Sequence, residues 1–238
     1  MEEKLRSILR QIHWSSVLKA GVAAIAWYLF PFWLFLIVVL YLYFVPVSQG
    51  YRTTGAFWAL VVLAALEPRG VSFMLIFGGI FLYMLLIRDL LLIDRKSAYE
   101  ILALLLSFLL LRTFYIHEGG GIAGSSLIWS FVTAALLAWL YANYIDTFEA
   151  REGAIVSPLS RPVRWLLFLL SWQFIVAGLF LPLDFVYQSV IVFLALVFFI
   201  DLIPQYLFGE LTKDKVLITS TMVFSLAVLI LGSARWGL

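Results

Sequence analysis

The sequence predicts an all-α polytopic integral membrane helical bundle, with about seven to nine hydrophobic segments and an N-terminal amphipathic helix. Three observations carry this. The chain is 64% hydrophobic and 13% charged, with mean hydropathy +1.06, whereas soluble domains run at about 45–50% and about 25%. A soluble core cannot hide that much apolar surface, so the solvent is lipid. Most apolar runs also approach the ~20 residues that cross a ~30 Å hydrocarbon layer at ~1.5 Å per residue. Finally, the 16 basic residues gather in short connections, as topogenic charges do.

The elements follow in order. Residues 1–19 form an N-terminal amphipathic cytoplasmic segment: Leu5, Ile8, Leu9 and Ile12 recur at helical spacing, opposite Lys4, Arg6 and Arg10. A simple charged anchor before the first span is the plainer alternative. No cleavable signal is expected, because this stretch is polar and the first apolar run is too long for a signal core. Residues 20–238 then read as a single transmembrane helical domain. Its runs are Ala20–Val45, Ala56–Leu66, Val71–Ile87, Ala98–Ile116, Leu127–Ile145, Trp165–Leu181, Phe185–Ile203 and Val216–Ala234.

Two runs have anomalous lengths. Ala56–Leu66 holds 11 residues, enough for only ~17 Å of helix. Ala20–Val45 holds 26, with Pro31 inside the aromatic knot WYLFPFW. Proline breaks or kinks a helix, so this run is one kinked span or a hairpin of two short helices.

Basic residues arbitrate, since short cytoplasmic loops collect them. In the later half, Arg88–Lys96, Asp146–Arg164 and Gln205–Lys215 belong inside; the HEGGGIAGSS and Pro182–Asp184 connections carry no base and belong outside. With both anomalous runs as single spans, the split is nine basic residues inside to seven outside. A re-entrant Ala56–Leu66 gives twelve to four, and a hairpin in the first run gives thirteen to three. The rule disfavours the first threading and leaves the other two open. Both put the N-terminus inside and the C-terminus outside, with the plasma (cytoplasmic) membrane as the expected location. The turn LEPRGV, with Glu67 and Arg69, is a surface turn in one of them and a membrane-entering tip in the other.

Three runs end in the same dipeptide, Ile93-Asp94, Ile145-Asp146 and Ile200-Asp201, at intervals of 52 and 55 residues. An acid at a helix C-terminus opposes the macrodipole. The recurrence fits repeated two-span hairpins, as in transporters; chance use of common residues at membrane exits is the plainer explanation.

The chemistry is defined first by exclusion. With no cysteine, disulfides and thiolate chemistry are ruled out. No lysine within a run offers a Schiff base, and His117-Glu118 begins HEGGG, which is not H-E-x-x-H. Two histidines cannot build a multi-histidine metal centre. No G-x-S-x-G elbow or phosphate-cradling loop occurs. No metal and no cofactor are expected, and a net charge of +2 gives no reason to expect nucleic acid.

The remaining candidate polar and lipid-contacting residues are Glu67, Arg69, Arg88, Asp94, Arg95, Glu100, Arg112, Gln173 and Asp201. Arg88 to Glu100, with Lys96, makes a mixed-charge shelf at the inner face, near which Asp201 and Gln205 can lie. Such a shelf suits anionic lipid headgroups, although topogenic charge alone accounts for it. Arg112 sits about one turn inside its run and can snorkel to Glu118 or Asp184. Gln173 lies mid-run beside Trp172; Ser107, Thr133, Gln188 and Ser225 are its deep polar companions, and interhelical hydrogen bonding is the bland reading for all. Asp184 suits the N-cap of the following helix.

The expected partners are the lipid bilayer, anionic headgroups at the inner face and other membrane subunits. The expected role is a non-enzymatic multi-pass membrane protein: an assembly, scaffold or accessory subunit. Its alternatives are a small-solute or lipid transporter built from two-span repeats, and a lipid-modifying enzyme at the inner interface.

Overall fold

A computed structural model describes residues 14–45, 53–88, 95–118, 124–149, 160–207 and 211–234. Among them are nine helices and no strand: α1 (Trp14–Leu29), α2 (Phe32–Phe44), α3 (Thr54–Leu66), α4 (Val71–Arg88), α5 (Arg95–Glu118), α6 (Gly124–Glu149), α7 (Ser160–Leu179), α8 (Phe185–Leu207) and α9 (Lys213–Ser233). Helices α4 to α9 are long and apolar enough to cross a membrane. The expected all-α bundle is therefore what forms. Most of the amphipathic N-terminal segment lies outside the described residues. The chain divides into two compact units, Met1–Leu102 and Ala103–Leu238.

In the first unit, the long opening run breaks at Pro31. The proline supplies no N–H, so α1 stops at Leu29, and α2 starts anew with the Phe35 N–H on the Pro31 carbonyl at 3.1 Å. The two helices then run antiparallel. Lys19 Nζ, near the start of α1, donates to the Val45 carbonyl beyond the end of α2 at 3.1 Å. In one continuous helix those residues, 26 apart, would be separated by ~39 Å. The first run is thus a hairpin.

Helix α3 runs between the same two ends. Thr53, just before it, bonds Tyr43 near the end of α2 at 2.5 Å. At its far end, the Ala64 carbonyl accepts from Trp27 Nε1 at 2.8 Å. The short run is therefore a helix of its own between those two ends. It is the most enclosed helix of this unit, with Gly55, Ala56, Phe57, Ala59, Leu60, Val61, Leu63 and Ala64 buried. A stretch of 10–14 apolar residues is the usual length of a helix sheltered in a core.

Helix α4 packs closely on α1 through small residues. A Cβ on Gly78 would sit 3.0 Å from the Ala24 Cβ, so the alanine face Ala20, Ala23 and Ala24 lets the backbones approach. Aromatic rings fill the space around this contact. Trp27 meets Phe73 at 4.9 Å, Phe35 meets Phe77 at 5.4 Å, and Tyr43 stacks on Phe57 at 4.3 Å. Such pairs add about 0.5–1.5 kcal/mol each beyond area burial.

The second unit is an antiparallel series in which α6 packs on α7, α7 on α8, and α8 on α9. Hydroxyl groups stitch it. Tyr141 of α6 donates to Ser107 of α5 at 2.5 Å, and Ser107 donates to the Ala103 carbonyl at 2.6 Å. Trp172 of α7 donates to Ser130 of α6 at 3.2 Å. Tyr115 of α5 donates to the Ile175 carbonyl of α7 at 2.8 Å. That last contact requires Gly178, where a Cβ would fall 2.1 Å from the Tyr115 hydroxyl and 2.7 Å from a Val192 methyl.

Gly178→Ala should accordingly lower stability by about 1–3 kcal/mol through overpacking, read as a drop in Tm of the purified protein in detergent. Gly79→Ala, with nothing within 4 Å of the added methyl, should leave Tm unchanged or slightly raised.

Candidate functional site

Polar side chains concentrate at helix ends, where carbonyls lose their intrahelical donors. In a membrane such carbonyls find no water, and each left bare costs several kcal/mol. At one end of the first unit, Arg88, the last residue of α4, is buried and donates from its guanidinium to the Tyr43 carbonyl of α2. Its Cζ lies 5.7 Å from the centre of the Tyr43 ring. A planar, always-charged donor suits this place better than an ammonium. Arg88 therefore caps a helix, and does not stand on an open shelf.

The rest of the shelf is less complete. Asp94 lies outside the described residues, as do the side chains of Arg95 and Lys96. Glu100 is half-buried on α5.

At the opposite end stands the LEPRGV turn. Glu67 ends α3 in extended conformation, its N–H on the Leu63 carbonyl at 2.9 Å. Pro68 follows, and α4 begins at Val71. Arg69 is exposed and donates to the Phe30 carbonyl at 2.8 Å. That carbonyl precedes Pro31 and has left the α1 ladder. The turn and the proline break are thus bonded to each other, and Glu67 and Arg69 belong to a turn between helices.

The third site lies between α8 and α9. Asp201 is not the last residue of its helix: α8 continues six residues further, to Leu207. The carboxylate therefore sits ~9 Å short of the helix end. Thr219 lies six residues into α9 from Lys213, at matching depth. Its hydroxyl donates to Asp201 Oδ2 at 3.2 Å, and Gln205 Nε2 donates to Oδ1 at 2.9 Å. Among the described residues, both hydrogen-bond donors to this carboxylate are uncharged. Gln205 Oε1 is buried with no donor among them. The turn beyond is organised by Thr212, whose Oγ1 accepts from the Lys215 N–H at 3.3 Å as the N-cap of α9.

The other expected residues lie elsewhere in the fold. Gln173 is exposed on α7 and joins no buried polar cluster. Arg112 is half-buried in α5. Gln188 is buried and donates to the Leu181 carbonyl at 2.9 Å, closing the α7–α8 turn. Asp184 takes the N-cap position, its carbonyl accepting from the Gln188 N–H at 3.0 Å. Glu118 accepts from the Ser126 hydroxyl, joining the end of α5 to the start of α6.

Sequence reasoning passed over Thr219, Thr53 and Tyr43. Thr219 had a usable signal, because it lies as far from the α8–α9 connection as Asp201 does. No group of three or more histidine, cysteine, aspartate or glutamate side chains that could hold a metal ion occurs among the described residues.

The comparisons are silent. No family model, curated protein or solved structure matches this chain.

Replacing Arg88 by Met keeps length and removes the donor. It should cost about 1.5–3 kcal/mol, the worth of a hydrogen bond to a charged group, and lower Tm, whereas Gln173→Ala at an exposed position should stay within about 0.5 kcal/mol.

Proposed function

We propose that this chain is a non-enzymatic multi-pass membrane subunit that assembles through α9, where its partner is a second copy of the chain. One observation carries the reading: no residue of α9 is buried, although the helix is 21 residues long and strongly apolar. It leans on α8 through the side bearing Thr219. Counted at 100° per residue from Thr219, Thr221, Ser225 and Gly232 fall within roughly 40° of one another on the far side. All three are exposed. Small and hydroxyl residues on one face let membrane helices approach closely and hydrogen-bond across the contact. At the same end, a groove of about 470 Å³ is lined by Leu211, Thr212, Val216, Leu217 and Ser220. A closed two-fold pair is the commonest oligomer and sets this face against itself.

In this reading the N-terminus is inside the plasma membrane and the C-terminus outside. Lys19, Arg88 and the connection before α3 then share the inner side with the N-terminal bases, and Arg69 faces out. The hairpin in the first run is what makes this the thirteen-to-three arrangement of basic residues.

A second reading, transport of a small solute or lipid, is favoured by Asp201, since an ionisable group inside a membrane helix ordinarily marks a functional site.

The natural absence of cysteine makes both proposals testable. Ser225→Cys should form a disulfide-linked dimer on mild oxidation in membranes, and Thr219→Cys should not. A monomer by light scattering in nanodiscs, or a dimer cross-linked only from another helix such as Leu75→Cys, refutes assembly through α9. For orientation, Arg69→Cys and Ser125→Cys should react with an impermeant thiol reagent on intact cells. Gln49→Cys and Ser160→Cys should react only after permeabilisation; the reverse pattern inverts the topology.

A further inference from the structure

The oxygen atoms around Asp201 exceed what its hydrogen bonds require. Its carboxylate is held by two neutral donors, Gln205 Nε2 at 2.9 Å and Thr219 Oγ1 at 3.2 Å. The amide that donates to it leaves its own Oε1 buried and without a donor among the described residues. A third oxygen comes from the backbone. Pro204 lies within α8 and has no N–H, so the carbonyl four residues earlier, that of Ile200, has no donor at its usual ladder position. Ile200 is buried. A carboxylate, an amide and a hydroxyl thus meet here, with the Ile200 carbonyl one residue before the acid in sequence, and Asp201 and Thr219 lie ~9 Å inside the ends of α8 and α9. The negative end of the α8 macrodipole lies beside them. This arrangement needs positive charge.

We infer that Asp201, Gln205, Thr219 and the Ile200 carbonyl form a binding site for a monovalent cation, sodium. The charge count selects the valence. One carboxylate with neutral oxygens balances a single positive charge, whereas a divalent ion would leave net charge in a low-dielectric setting, and calcium takes six to eight oxygens with several carboxylates. The ligand type selects the class: hard oxygen donors with no sulfur or imidazole suit alkali and alkaline-earth ions. Freed helix carbonyls together with side-chain oxygens are a recurrent way to hold sodium within a membrane. Lys213 and Lys215 on α9 are exposed and flank the approach from the connection. The site stands independently of assembly through α9, because its ligands lie on the side of α9 that meets α8.

The test uses the purified full chain, titrated with sodium chloride against choline chloride at equal ionic strength. Binding to the folded state raises stability, so saturating sodium should raise the wild-type Tm by on the order of 5 °C. Asp201→Asn, near-isosteric, should abolish the rise. Thr219→Val and Gln205→Ala should each require at least about tenfold more sodium for half the rise. No sodium-specific rise in the wild type, or a rise that survives Asp201→Asn, overturns the site.

Discussion

A backbone carbonyl at the end of a membrane helix must find a donor, and in this protein the donor repeatedly arrives from elsewhere in the chain. Trp27 serves Ala64, Arg69 serves Phe30, Arg88 serves Tyr43 and Lys19 serves Val45. In the second unit, Gln188 serves Leu181 and Tyr187 serves Ser233 at 3.3 Å. These partners lie between 7 and 46 residues apart. Water would do the same work for a soluble helix. Lipid cannot. Apolar packing alone is a weak guide to register here, since lipid is as apolar as leucine. The end-capping bonds therefore fix which helix end meets which, and the aromatic rings and alanine faces fill the space between.

Much of this was legible in the sequence. Composition and run length gave the bundle, and the distribution of basic residues coupled Pro31 to the LEPRGV turn by counting charge. The structure supplies the physical form of that coupling, a hydrogen bond from Arg69 to the carbonyl just before Pro31. The 11-residue run was harder to place, because length alone does not separate a re-entrant tip from a helix enclosed on most sides. Its alanine and glycine content was the missed clue, for small residues mark close packing in membranes.

The polar residues were read less well. Gln173 attracted notice by its position in the run, yet the face of a helix decides exposure, and α7 turns that residue outward. Arg88 looked like one charge among several on a shelf; its role depends on the end of α2, 45 residues earlier. Asp201 was noticed as part of a recurring dipeptide at an apparent membrane exit. Hydropathy drops at an acid whether or not the helix stops, so the run appeared to end where α8 continues to Leu207. The hydroxyl that meets this acid comes from a different helix, and no local pattern marks such a pairing.

The bond between Arg69 and Phe30 also bears on the order of biosynthesis. The acceptor is made first, and the donor follows 39 residues later. At ordinary synthesis rates that interval is roughly 2–8 s. During it, the carbonyl at the tip of the α1–α2 hairpin lacks its lasting partner. The first hairpin cannot reach its final state alone and waits for the second to cross. The second turn thereby completes the first.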